Sequence, residues 1–346
     1  MTEQFELAPG FKISRIIKGG WQLSDGHSQV NKDNAVNDMF AFADAGITTF
    51  DCADIYTGVE EMIGQFIAEK KQRLGDASNI KILTKFVPDY ADLGNLNKSY
   101  VERIIDRSLK RLNQERLDMV QFAWWTYDTQ GWVEAALWLK ELQQAGKVNL
   151  ISSTNFNTET TNQILEAGVE MSSVQIQYSI LDSRPEKSLI DLCKSSNTYV
   201  LCYGTVAGGF LSEKWLVKPE PKGEFENRSL TKYKLIIDDI GGWDLFQELL
   251  RVLKQIADNH GVGIANIATR FMLDKPQVAG VIVGARNASH LDSNLKTFDF
   301  QLSDFDYQKI EEVTSQFQEL PDDVFDLERD KEGKHGRIMK YNLNDT

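Results

Sequence analysis

The chain has 346 residues, 42% hydrophobic and 26% charged, enough to bury a large core within one α/β barrel domain spanning 1–346. A net charge of −13 argues against a nucleic-acid or anionic-membrane surface, because phosphates would be repelled. Cys52, Cys193 and Cys202 lack CxxC spacing and are odd in number, which argues against a disulfide framework and points to a reducing cytoplasm; the N-terminus lacks the basic and apolar regions of a signal peptide, and no apolar run is long enough to span a membrane.

In chain order, short apolar runs predict strands at residues 13–17, 48–52, 80–84, 119–123, 148–152, 174–176, 199–203 and 278–283. Between them, amphipathic patterns predict helices over 33–45, 60–72, 98–112, 132–144, 158–165, 185–195, 243–259 with 264–273, and 288–298. Glycine after Ala45, Ala145 and His260 suits a left-handed residue closing the preceding helix. Strand followed by helix, repeated eight times, implies parallel pairing and a closed (β/α)8 TIM barrel. A helix over 303–317 and a tail over 321–346 follow; the tail is expected to wrap the surface or act as a lid, and the long link 211–242, carrying Lys214, Trp215, Arg228, Lys232 and Tyr233, is expected to form a flap.

The chemistry gathers at strand ends. Asp51 lies near the end of the second strand, Tyr56 follows it, and Lys85 directly follows the third. An ammonium there is costly unless paired, and Asp51 is its expected partner. The cation favours tyrosinate and so lowers the Tyr56 pKa toward working pH, which would make Tyr56 a proton donor. No Gly-x-Gly-x-x-Gly follows the first strand and no P-loop is present. His27, His260, His290 and His335 lack ligand spacing, so no metal site is predicted, and His260 is expected at a helix C-terminus, where the dipole favours it.

With this spacing, Asp51, Tyr56 and Lys85 resemble the aldo-keto reductase family, and the resemblance runs in order through most of the chain. It implies a barrel with an N-terminal β-hairpin and a C-terminal helix plus tail, binding NADPH or NADP+ and moving hydride to or from a small carbonyl or alcohol. The segment Ile151-Ser152-Ser153-Thr154-Asn155-Phe156 resembles the family's fifth strand end, and Gln175 stands where a glutamine completes the carboxamide contacts. By the same resemblance Tyr203 stacks on the nicotinamide, Gly204, Thr205, Val206 and Gly208 approach the pyrophosphate, and Gly284, Arg286, His290 and Asn294 hold the adenosine and its 2′-phosphate. Gly20, Trp21 and Asp51 complete the implied cofactor set. Trp21, Tyr56, Trp124 and Trp125 are expected to wall the acceptor pocket.

One position departs from the pattern. Immediately before Trp124 the family places a histidine that donates to the substrate oxygen, and this chain has Ala123. Losing one such donor costs about 2.7–4 kcal/mol of transition-state stabilisation where it has been measured. Three readings follow: an introduced substitution, a specialisation for another acceptor, or a nucleotide-binding pseudoenzyme. For the second, family members that reduce a steroid carbon–carbon double bond carry glutamate at this place; for the third, potassium-channel β-subunits use the same fold to modulate a partner.

Overall fold

A computed structural model describes residues 2–24, 31–225, 227–285 and 287–344 of the chain. A two-stranded antiparallel hairpin, β1 (Gln4–Ala8) and β2 (Phe11–Ser14), precedes the barrel. The barrel strands are β3 (Ile16–Gly19), β4 (Thr49–Asp51), β5 (Lys81–Phe86), β6 (Leu117–Phe122), β7 (Val148–Thr154), β8 (Ser173–Gln177), β9 (Tyr199–Tyr203) and β10 (Val278–Gly284). All neighbours pair in parallel, and β10 closes the ring onto β3.

The surrounding helices are α1 (Lys32–Asp44), α2 (Val59–Leu74), α3 (Lys98–Leu112), α4 (Trp132–Gln144), α5 (Thr158–Glu166), α6 (Leu189–Ser195), α7 (Arg228–Asp239), α8 (Gly242–His260), α9 (Ile264–Leu273), α10 (Leu291–Leu295), α11 (Asp304–Thr314) and α12 (Asp326–Arg329). Gly46, Gly146 and Gly261 have φ of 89°, 82° and 68°, the left-handed conformation expected after a helix. His260 ends α8 and meets Asp306 at 3.1 Å.

Three sequence expectations change. The run 13–17 spans two strands, because the Ser14 hydroxyl donates to the Ile16 carbonyl and accepts from the Thr48 and Thr49 amides, which separates the hairpin from β3. Residues 185–195 divide into a 3-10 turn, Arg184–Lys187, and α6, since Ser188 (φ −156°, ψ −32°) is not helical. The segment 288–298 divides into a 3-10 turn, the five-residue α10 and a second 3-10 turn rather than one helix.

The link 211–242 contains α7, which buries Leu230, Tyr233, Ile236 and Ile237 against α8 and the loop after β9. Inside the barrel, Ile17, Leu83, Met119 and Leu201 make an apolar layer that the hairpin's Leu7, Phe11 and Ile13 close from below. Two residues further along β5 and β6, side chains again point inward and stand one step nearer the C-terminal mouth. There the layer turns polar, with Lys85 and Gln121 in register and Asp51 from β4 beside them.

Candidate active site

Asp51 and Lys85 are 4% and 5% exposed, so both charges have left water. Lys85 donates from Nζ to the two Asp51 oxygens at 2.7 and 2.8 Å and to the Cys52 carbonyl at 2.9 Å. Burial opposes the ammonium, but Asp51 and Tyr56 outweigh it, and the Lys85 pKa is raised. Asp51 Oδ1 also accepts from Gln121 Nε2 at 2.9 Å and Gln175 Nε2 at 2.6 Å, which fixes the carboxylate. Gln121 escaped the sequence reading, although it lies two positions before Ala123 on the same inward face of β6.

Tyr56 is half-buried beside this pair. The Lys85 ammonium is 5.2 Å from its ring centroid, and Trp21 packs 4.9 Å away. The expected lowering of its pKa is reversed on balance: burial pushes the phenol up to about 12, against the downward pull of Lys85. The phenol is therefore held in its proton-bearing form, with the cation placed to favour its conjugate base once a proton leaves.

Ala123 ends the inward row of β6, its amide donating to the Phe86 carbonyl at 3.0 Å. Trp124 points the other way. It is 1% exposed, packs edge-on against Phe122 and Trp132, and donates its indole N–H to the Thr129 carbonyl, so it is a core residue and not an exposed pocket wall. Trp125 is half-buried at the mouth, donating to the Pro88 carbonyl at 2.8 Å with Tyr341 of the tail against its ring.

The residues that the resemblance assigns to the nicotinamide lie together at the ends of β7, β8 and β9. Asn155 takes a left-handed φ of 62°, which an asparagine tolerates, and its Oδ1 accepts from the Tyr203 hydroxyl at 2.7 Å. Gln175 has its amide N–H groups on Asp51 and Gln121, which leaves Oε1 as its acceptor, 3.4 Å from the Thr154 hydroxyl. These groups supply both donors and acceptors, as a primary amide requires, and Thr205 Oγ1 nearby in the chain is buried without a partner among the described residues.

The glycines have a packing explanation as well. A Cβ on Gly204 would lie 2.3 Å from the Tyr233 hydroxyl and one on Gly208 2.9 Å from the Tyr233 ring, so α7 itself demands small residues there. On Gly20 a Cβ would meet the Asp51 carbonyl at 2.7 Å, whereas on Gly284 it would meet only the movable end of the Gln22 side chain. Val206 is half-buried at the start of the 3-10 turn Ala207–Gly209. His290 is exposed at the end of the turn Ala288–His290, and Asn294 is half-buried in α10. Arg286, like His27, lies outside the described residues.

The tail supplies groups that no local motif announces. Arg184, 2% exposed after β8, is gripped by Asp182 through Nε and Nη2 at 2.9 and 2.8 Å and reaches Glu328 at 3.3 Å. Lys232 of α7 lies 3.5 Å from Glu328 and 5.0 Å from the Tyr203 ring centroid. Burial opposes the Glu328 charge, but Lys232 and Arg184 overcome it and hold the carboxyl down at about 2.

A model of the aldo/keto reductase family matches residues 15–315. Aldo-keto reductase YhdN of Bacillus subtilis is 24% identical over 314 residues, covering 88% of this chain and 91% of its own. Flagellar radial spoke protein 5 of Chlamydomonas reinhardtii is 26% identical over 261 residues, 64% of this chain, and the chain spans about half of that protein, 49%. Among solved structures, a glycerol dehydrogenase from Gluconobacter oxydans superposes with a TM-score of 0.75 at 21% identity, covering 93% of this chain and 97% of that one.

Proposed function

The chain belongs to the aldo-keto reductase family and is an oxidoreductase of that type, and from that premise we propose that it uses NADPH to reduce a small aldehyde or ketone, with Tyr56 as proton donor. One observation carries the reading: a buried Asp51–Lys85 pair stands beside a half-buried phenol at the C-terminal mouth of the barrel. The nicotinamide, when bound, supplies or accepts the hydride. Thr154, Asn155 and Gln175 would hold its carboxamide, Tyr203 its ring face, and Arg286, His290 and Asn294 the adenosine end, where a guanidinium favours a 2′-phosphate.

Within this reading each protein group has one task. Tyr56 gives its proton to the carbonyl oxygen as negative charge develops there. Lys85 stabilises the tyrosinate left behind, and Asp51 holds Lys85 charged and aimed. Gln121 and Gln175 keep Asp51 from turning. Trp21 and Trp125 bound the acceptor.

Ala123 offers no second donor to the same oxygen, so turnover rests on Tyr56 and is expected to be slow. This residue also favours a second reading, a nucleotide-binding protein without turnover. Titrating NADPH and NADH separately and then adding an aldehyde tests both. The proposal expects tighter NADPH binding and slow NADPH oxidation; equal affinities refute the NADPH preference, and binding without oxidation favours the second reading.

A further inference from the structure

Beyond residues 15–315, which the family model matches, the chain turns back across the mouth of the barrel. Asp323 accepts from the Thr158 amide at 2.7 Å, Glu328 pairs with Arg184 and Lys232, and Asn344 donates to the Val87 carbonyl at 2.7 Å. This strap is thereby fastened to the segments that follow β5, β7, β8 and β9, and Arg329 fastens it to the one that follows β6. Its Nη2 donates to the carbonyls of Trp124 and Asn155, so the guanidinium bridges the residue after Ala123 and the residue assigned to the carboxamide.

The rest of that guanidinium is not satisfied. The Arg329 side chain is 7% exposed, and its Nε and Nη1 are buried without a hydrogen-bond partner among the described residues. Among the described residues the one carboxylate within ion-pair reach is Asp326, 3.7 Å from Nη1 and too far for a hydrogen bond. Two rings flank the guanidinium, with the Tyr127 ring centroid at 4.1 Å and that of Phe325 at 5.2 Å from the guanidinium carbon. Arg184, which follows β8 and meets the same strap, supplies the contrast: its side chain is 1% exposed, and it has Asp182 on two nitrogens and Glu328 behind them. A buried cation with unused donors is costly to maintain unless an anion completes it.

We propose that Arg329 is a specificity-determining residue that pairs with a carboxylate on the acceptor, so that the preferred substrates are oxo acids rather than neutral carbonyl compounds. Nη2 is held by the two carbonyls and Nε lies on the opposite edge from Nη1, so one carboxylate oxygen accepts from Nη1 in a charge-assisted bond. The carbonyl chemistry in this inference rests on the function proposed above; the anion site does not.

The full-length chain is titrated with benzoate and with benzamide, with and without NADP+, and kcat/KM is measured for 4-carboxybenzaldehyde and benzaldehyde. Benzoate is expected to bind at least about 10-fold more tightly than benzamide, and Arg329→Gln to remove that preference. The kcat/KM ratio of carboxylated to neutral aldehyde is expected to fall by about 10–10² in Arg329→Gln, mainly through KM, with Arg329→Lys between the two. Arg329→Lys retains the charge, so it keeps the question answerable if the glutamine variant does not fold.

An unchanged ratio with a lowered melting temperature overturns the proposal and makes Arg329 a pin for the strap. Weakened NADPH binding with an unchanged ratio also overturns it, since the anion would then be a cofactor phosphate. If neither aldehyde is reduced while benzoate is still distinguished through Arg329, the anion site stands and the carbonyl reading fails.

Discussion

Lys85→Met removes one half of a buried ion pair while keeping most of the side-chain volume. In the parent chain Asp51 and Lys85 are 4% and 5% exposed, and Asp51 Oδ2 has Lys85 as its one hydrogen-bond partner among the described residues. The variant leaves that carboxylate charged, desolvated and held only by the amides of Gln121 and Gln175 on Oδ1. Breaking a buried pair from one side costs about 3–5 kcal/mol. For a chain of 346 residues the unfolding entropy is about 0.7 kcal/mol per degree, so the melting temperature should fall by about 4–7 °C. Scanning calorimetry at pH 7 measures it. Adding Asp51→Asn removes the stranded charge and should return at least about 1 kcal/mol, a coupling that a double-mutant cycle isolates. A shift of Lys85→Met smaller than about 1 °C, or no coupling in the cycle, would refute the buried pair as the centre of the site.

Three more predictions follow from buried groups near the mouth and in the barrel wall. Glu328 is held at about 2 against an ordinary 4.5, so its stabilisation is complete above about pH 4.5 and is lost as pH falls toward 2; Glu328→Gln should lose up to about 3 kcal/mol at pH 7, by urea unfolding, and show a flatter stability profile between pH 5 and 2. Lys18, 3% exposed with its ammonium 5.5 Å from the Phe42 ring centroid, is lowered by burial from 10.5 to about 8, and Asp38 only partly compensates. Its charge is therefore a penalty below about pH 8 that vanishes above about 10.5, and Lys18→Met should stabilise the protein by about 1–3 kcal/mol at pH 7 and by less at pH 10. Ala123→His should raise kcat/KM for a neutral aldehyde by about 10–10³, in steady-state assays, by restoring a donor to the carbonyl oxygen.

The barrel was legible because each strand is a short apolar run and each crossover an amphipathic one. Even the ends of three helices are marked, by the glycines at 46, 146 and 261. Lys85 was legible for a sharper reason: an ammonium following Ile82-Leu83-Thr84 has no low-energy place in a buried strand without a partner, and Asp51 near the end of the preceding strand was the expected one. Trp124 was read wrongly where alternation already held the answer, since Gln121 and Ala123 point inward and Trp124 must then point out.

What the sequence could not disclose is long-range pairing. Arg184 and Glu328 stand 144 residues apart, with no local pattern on either side to join them. The sign of the Tyr56 shift was likewise hidden, because it depends on how far burial outweighs the nearby cation, and only packing decides that. The glycines at 204 and 208 answer to Tyr233, a residue of α7 placed there by the fold.

The central claim is that Tyr56 donates the proton in a hydride transfer performed by this chain. It is tested most directly by single-turnover oxidation of bound NADPH after an aldehyde is added, followed by absorbance in the parent and in Tyr56→Phe, with NADPH affinity measured in both. The account predicts oxidation by the parent and a rate about 10²–10⁴ lower in Tyr56→Phe, with NADPH affinity essentially unchanged. Equal rates in the two proteins, or a parent that binds NADPH and never oxidises it, would contradict the claim.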